Sequence, residues 1–215
     1  MLPTARDQHP VARREGGRHG RAAGERFSLD ETGGERTRAA GYVPAPFIAD
    51  GKIIDSVGGG VSQFATTLYN AAYLAGLQID STSAAQLYIG RDPPGREATL
   101  RFPAIDMAWT NDTTAPVLIR AATDGTSVVA SIYGTDHGRR VRAQTGERRP
   151  VSGGAFQITV TRVIRYRDEA SERQPSPPAT TSRRHRNSRR TAGSEAVLSA
   201  DHRDAAASAA RGEQL

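Results

Sequence analysis

All twelve aromatic side chains of this 215-residue chain fall between Phe27 and Tyr166, and that confinement restricts its folded part more than any other feature. Aromatic rings bury the most area per residue, so a segment without them has little to set against the entropy lost on ordering. The predicted core is therefore a span of about 140 residues, long enough to bury roughly two-thirds of its unfolded surface. The chain divides into an N-terminal tail over 1–23, a folded domain over 24–166, and a Pro/Ser/Arg/Ala-rich tail over 167–215. Both tails are expected to be disordered.

Charge follows the same division. The net charge is +6, yet residues 27–166 hold nearly balanced basic and acidic groups, and the excess sits toward the ends. A specific nucleic-acid domain needs its basic groups on an ordered surface. The run Arg183-Arg184-His185-Arg186-Asn187-Ser188-Arg189-Arg190 reads instead as a solvated tail, so no specific nucleic-acid partner is expected. Such a partner would require Arg120, Arg139, Arg140 and Arg142 to cluster with the tails on one face. The absence of Cys excludes a disulfide scaffold, a thiolate metal site and a cysteine nucleophile. No motif calls for a cofactor or a metal. Apolar runs of about seven residues fall far short of the ~18–20 that cross a bilayer, and no export-signal pattern opens the chain.

The pattern over Val61–Ala75 is helical: Val61, Phe64, Ala65, Leu68, Tyr69, Ala72 and Ala75 recur at the spacing of one buried face. Ser62 is the expected N-cap, and Gly76 the glycine that ends the helix. Lys52–Val57 reads as a strand after an Asp50-Gly51 turn, and Pro44 and Pro46 keep the Tyr42–Phe47 stretch extended. Further strands are expected at Ala98–Phe102, Asp106–Thr110, Val117–Ala122 and Thr126–Tyr133, with a tight Asp124-Gly125 hairpin between the last two. Phe156–Tyr166 alternates as one half-exposed strand. The expected fold class is α+β: one main helix, after a Gly-rich loop, packed on an antiparallel sheet.

The stretch Gly58-Gly59-Gly60-Val61-Ser62-Gln63 carries the chemistry most open to interpretation. Glycines permit sharp turns and close approach, and a helix start presents unpaired N–H groups and a positive dipole end. A carboxylate, a phosphate or an oxygen nucleophile would be stabilised there. The loop is neither a P-loop, since no Lys-Ser/Thr pair follows it, nor a nucleophile elbow, which needs glycines on both sides of the Ser.

These residues, with Thr66-Thr67-Leu68-Tyr69-Asn70-Ala71-Ala72 after them, closely resemble the signature of the VanW-like proteins of the bacterial envelope. Glu25-Arg26-Phe27-Ser28-Leu29, Gly41-Tyr42, Pro94-Gly95-Arg96-Glu97-Ala98-Thr99, Asp106 with Asn111, and Ile132-Tyr133-Gly134 match other family landmarks in order, so the resemblance covers about residues 24–166. It implies a cell-envelope location, peptidoglycan or a precursor as partner, and a link to glycopeptide resistance. Residues 1–23 are expected not to be native family sequence, and the abrupt change of composition just inside the last matched strand leads to the expectation that the reading frame is truncated or shifted at both ends. Two departures stand out: many relatives carry Cys where this chain has Ser62, and a His-Ser pair where it has Ala85-Gln86.

Two functions are open from the residues. In the first, Gly58, Gly59, Gly60, Gln63, Thr66, Thr67, Asn70, Arg96, Glu97, Asp106 and Asn111 line a polar cleft for a peptide-like or glycan-like ligand, with Arg96 reaching a carboxylate. Alternatively, Arg96 pairs with Asp106 or Glu97 and merely holds the fold. In the second function, Ser62 is the nucleophile of a hydrolase or acyl transferase acting on cell-wall peptides. That chemistry requires a base within about 3 Å of the hydroxyl, and the central segment offers only His137.

Overall fold

The structure, a computed structural model, describes residues 17–49, 52–90, 92–123, 127–167, 170–176 and 179–182. The expected α+β arrangement is overturned. Among the described residues strands make up 42% and helix 15%, and one helix reaches seven residues. The described strands form five small sheets rather than one, so the fold is mostly β.

Strand β1 (Gly17–Arg21) pairs antiparallel with β7 (Val117–Thr123), which pairs in turn with β8 (Val128–Tyr133). A second sheet places β6 (Ala108–Thr110) between β2 (Arg26–Ser28) and β5 (Gln78–Ser81). Its central row sets Phe27 and Ile79 on either side of Trp109, and the Phe27 and Trp109 rings stack at 5.3 Å. β3 (Pro44–Ala49) and β4 (Lys52–Val57) form a two-stranded ribbon. β9 (Arg140–Thr145), β12 (Val160–Arg165) and β13 (Ser171–Pro175) make a sheet with β12 in the middle. β10 (Arg149–Pro150), β11 (Ala155–Ile158) and β14 (Ala179–Ser182) make the last.

A short helix, α1 (Leu29–Gly33), follows β2 and is capped by Ser28, whose Oγ accepts the Glu31 N–H. The long helix, α2 (Val61–Ala75), has the predicted bounds, and its apolar face packs mainly on β8, with contacts to β5 and β9. Phe64, Ala65, Leu68 and Ala72 are at most 1% exposed, joined in one core with Phe27, Trp109 and Ile119. Gly76 ends the helix at φ 77°, where a side chain would strain the backbone.

Several expectations are corrected. Strand pairing extends past both predicted boundaries, through β1 before residue 24 and through β13 and β14 after 166. These segments lack aromatics but pair along ladders on ordered strands, and β14 buries Ala179 and Thr181. Phe156–Tyr166 is two strands, broken at Thr159 and assigned to different sheets. The inward alternation nevertheless runs unbroken through Phe156, Ile158, Val160, Arg162 and Ile164. Ala98–Phe102 joins no sheet; Arg101 makes one isolated bridge to Ile105, and Phe102–Pro103 is cis. The Asp50-Gly51 turn and the Asp124-Gly125 turn lie outside the described residues, as do 1–16 and 183–215.

Candidate functional site

The glycine loop turns for structural reasons. Gly58 and Gly60 adopt φ of 80° and 86°, and Gly60, not Ser62, is the N-cap residue. A Cβ on Gly59 would lie 2.1 Å from the Ala45 carbonyl oxygen, so β3 occupies the close approach that glycine allows. At the helix tip the Val61 N–H donates to the Gly58 carbonyl at 3.3 Å and the Gln63 N–H to the Gly60 carbonyl at 3.0 Å. Two of the first-turn amides are therefore spent on the turn itself.

The polar residues of the helix make a ladder rather than a cleft. The Leu100 N–H donates to Ser62 Oγ at 3.1 Å. Thr66 Oγ1 accepts the Ala98 N–H at 3.0 Å and donates to the Ala98 carbonyl at 3.4 Å. Asn70 Nδ2 donates to the Arg96 carbonyl at 2.9 Å and to the Thr66 carbonyl at 2.7 Å. Helix positions four apart rise about 6 Å, and extended residues two apart span about 6.6 Å. Side chains 62, 66 and 70 thus keep register with backbone positions 100, 98 and 96. The helix face thus takes the Ala98 and Leu100 amides that a neighbouring strand would otherwise engage, while the Thr99 amide donates to the Ser83 carbonyl at 2.8 Å. Thr67 bonds back to the Gln63 carbonyl of its own helix at 2.9 Å.

Asp106 and Asn111 are also architectural. Asp106 accepts from the Ser28 hydroxyl at 2.6 Å and from the Asp30 and Met107 amides at 3.0 and 2.7 Å, tying α1 to the start of β6. Asn111 is fully buried, and its Nδ2 faces the carbonyls of Arg21, Ala22 and Ala115 at 2.9–3.1 Å. The alternative pairing of Arg96 with Asp106 or Glu97 is absent among the described ion pairs. The Arg96 guanidinium instead lies 5.6 Å from the centre of the Tyr73 ring, and that of Arg162 lies 5.1 Å from it. Burial lowers the pKa of Arg96. Glu97 is 3% exposed, and its carboxylate oxygens accept no well-formed hydrogen bond. Burial pushes the carboxyl above its ordinary range, and the nearby Glu97 and Gly95 amides only moderate the rise. Tyr69, buried beside Tyr73, is pushed up to about 12.

No side-chain base bonds the Ser62 hydroxyl among the described residues. His137 sits in the loop before β9, whose Arg139 donates to the Gly76 carbonyl at 2.9 Å at the opposite end of α2. Fourteen residues of helix separate Ser62 from that end, about 21 Å at 1.5 Å per residue.

Two cavities lie at that far end. The larger, about 740 Å³, is lined by Arg139, Arg140, Arg165 and Arg167, with Tyr166, Ser171, Gly138 and the single acid Asp136. A second, about 340 Å³, adjoins it at Tyr166 and includes Arg162, Asp112 and Glu172. Arg139 is anchored to Asp112 at 3.0 Å, and Arg162 donates to the Leu77 carbonyl at 2.8 Å, so two cations sit at the negative end of the helix dipole. Arg140 and Arg165 are directly opposed across β9 and β12. Like charges so placed repel, and no described ion pair relieves Arg140, Arg165 or Arg167. Arg139, Arg140 and Arg142 are therefore neighbours, as a basic cluster would require, whereas Arg120 belongs to β7 in another sheet. The available signal was the alternation Arg140-Val141-Arg142-Ala143-Gln144, a strand pattern with one basic side.

The glycine loop, the helix and the strands around Trp109 together define the domain, and residues 21–133, just over half of the chain, match the family described as VanW like protein. The chain belongs to that family. It is 39% identical over 112 residues to the uncharacterized protein YoaR of Bacillus subtilis (strain 168). The match covers 52% of this chain and 37% of YoaR. No solved structure matches. Among the described residues no helix is long and apolar enough to cross a membrane, and no group of three or more His, Asp or Glu could hold a metal ion.

Proposed function

We propose that this VanW-like chain is a non-catalytic binder of peptidoglycan or its precursors in the bacterial cell envelope, and that it holds their anionic groups in the arginine-lined cavity beside the C-terminal end of α2. The observation that carries this reading is that Arg140 and Arg165, engaged by no ion pair among the described residues, are opposed across the ladder in the lining of a cavity of about 740 Å³. Stem-peptide carboxylates are planar and precursor phosphates tetrahedral, and each presents a pair of oxygens that suits a guanidinium fork. An anion between the two arginines would turn a repulsion into two charge-assisted contacts. The serine-nucleophile reading finds no support: Ser62 receives an amide proton from Leu100 and lies about 21 Å along the helix from the loop that carries His137.

The test is retention on purified peptidoglycan of the wild type, Ser62→Ala and the double variant Arg140→Gln/Arg165→Gln. Hydrogen bonds to charged groups contribute about 1.5–3 kcal/mol each, so the double variant should bind at least tenfold more weakly, with Ser62→Ala close to wild type. Equal retention by the double variant refutes the cavity. Release of soluble fragments that stops in Ser62→Ala would revive the enzyme.

A further inference from the structure

The sheet β13-β12-β9 has two unlike faces. Directly opposed residues of antiparallel strands point to the same side, and the register therefore fixes each face. Inward, Val160, Arg162 and Ile164 of β12 are buried against the end of α2 and the core. Outward, the sheet presents three rows. The first is Arg140, Arg165 and Ser171, which line the cavity; the second is Arg142, Val163 and Arg173; the third is Gln144, Thr161 and Pro175. All four arginines of these rows are exposed, and none of the nine residues is acidic. Arg173 reaches across to Gln144 Oε1 at 2.7 Å, and no described ion pair engages any of the four.

We infer that this outer face is a docking track for a linear phosphodiester polymer whose charges lie along its backbone, a partner distinct from the cavity ligand although Arg140 and Arg165 serve both. Successive rows stand two residues apart along the strands, about 6.6 Å, and neighbouring strands about 4.8 Å apart, so guanidinium groups recur along a line instead of converging on one point. A single small anion can satisfy the first row only. A repeating anion reaches the second as well, without bending. The face holds no aromatic ring on which a base could stack, which argues against single-stranded nucleic acid. Val163 is its sole aliphatic side chain apart from Pro175, too little apolar surface to enter a bilayer. What remains is charge complementarity with a chain of phosphates carried on a polar, non-aromatic backbone.

The full chain is titrated with synthetic glycerol-phosphate oligomers of two and of ten repeats, with single-stranded DNA and with phosphatidylglycerol vesicles as competitors. The ten-repeat oligomer should bind at least tenfold more tightly than the two-repeat one. In Arg142→Gln/Arg173→Gln that advantage should fall to threefold or less, and the slope of log K against log salt should flatten by about one to two. Arg142→Lys/Arg173→Lys, which keeps the charge, should restore most of it and separates lost charge from lost folding. Equal binding of the two lengths, an advantage that survives the glutamine substitutions, or tighter binding of DNA or vesicles overturns the inference. Peptidoglycan stripped of its phosphodiester polymers distinguishes the two sites: retention there without a length effect leaves the cavity standing and removes the track, and the converse removes the cavity.

Discussion

Thr66→Val separates a helix face that holds the fold from one that holds a ligand. Thr66 is 6% exposed, and its hydroxyl is the described partner of the Ala98 N–H at 3.0 Å, while Ala98 is itself 1% exposed. Valine keeps the shape and removes the hydroxyl, so the Ala98 amide is left buried with nothing to donate to. An unsatisfied buried group costs about 1–3 kcal/mol; the weaker 3.4 Å bond to the Ala98 carbonyl adds little. A loss of about 2 kcal/mol is expected, or roughly 4–8 °C in Tm for a domain of this size. Trp109, the one tryptophan and fully buried, reports unfolding in urea by its fluorescence. Thr67→Val is the control, because that half-buried hydroxyl bonds only one turn back to the Gln63 carbonyl. It should change stability by less than about 0.5 kcal/mol. If the two variants lose the same amount at unchanged m-value, or Thr66→Val loses less than about 0.5 kcal/mol, the ladder does not hold the 96–100 segment.

Two further perturbations probe the same region. Gly59→Ala places a methyl 2.1 Å from the Ala45 carbonyl oxygen, a backbone atom that cannot swing aside, and should cost about 3 kcal/mol or more in urea unfolding; Gly20→Ala, with nothing within 4 Å, should not. Glu97→Gln tests a carboxyl whose pKa is raised on folding by burial from an ordinary 4.5. A raised folded pKa means that folding takes up a proton: the stabilisation is present below pH 4.5 and is lost as the pH rises through the folded value. Relative to wild type, the glutamine variant should therefore gain stability at pH 8 and lose that advantage near pH 4, as read from urea midpoints. A constant difference between the two pH values would refute it.

The helix Val61–Ala75 and the strand Lys52–Val57 were legible because their cues are local: a 3.6-residue apolar period closed by Gly76, and β-branched residues after a turn signal. What the local cues could not carry was pairing. Ala98–Phe102 has a strand's apolar run, but its Ala98 and Leu100 amides go to Thr66 and Ser62, more than 30 positions earlier, and its Thr99 and Arg101 amides to the Ser83 and Ile105 carbonyls, so its composition was right and its partner was not. Ser62 failed as a cap because Gly60 reaches φ 86° and takes that position. β9 was missed for the opposite reason: Arg140, Arg142 and Gln144 alternate with small aliphatics in a strand without an apolar run, and only β12 beside it reveals the row. A chain of many short sheets defeats a reading that assigns every apolar run to a single sheet.

The same pairing moved the site. A positive helix end was the attraction of the glycine loop, but Gly58 and Gly60 carbonyls already take two of its amides, and the polar stripe beyond is engaged with the 96–100 backbone. The negative end is closed by cations instead. Arg162 reaches the Leu77 carbonyl from β12, and Arg139 reaches that of Gly76 from the loop before β9. Holding Arg139 there, with Asp112 as its counter-ion, pins the loop and starts β9 at Arg140, in register with Arg165. The capping of α2 therefore brings face to face two arginines that no ion pair among the described residues engages. In a purely structural sheet the opposed position could carry any polar residue without that repulsion. The proposed anionic ligand would relieve that repulsion by lying between the two guanidinium groups.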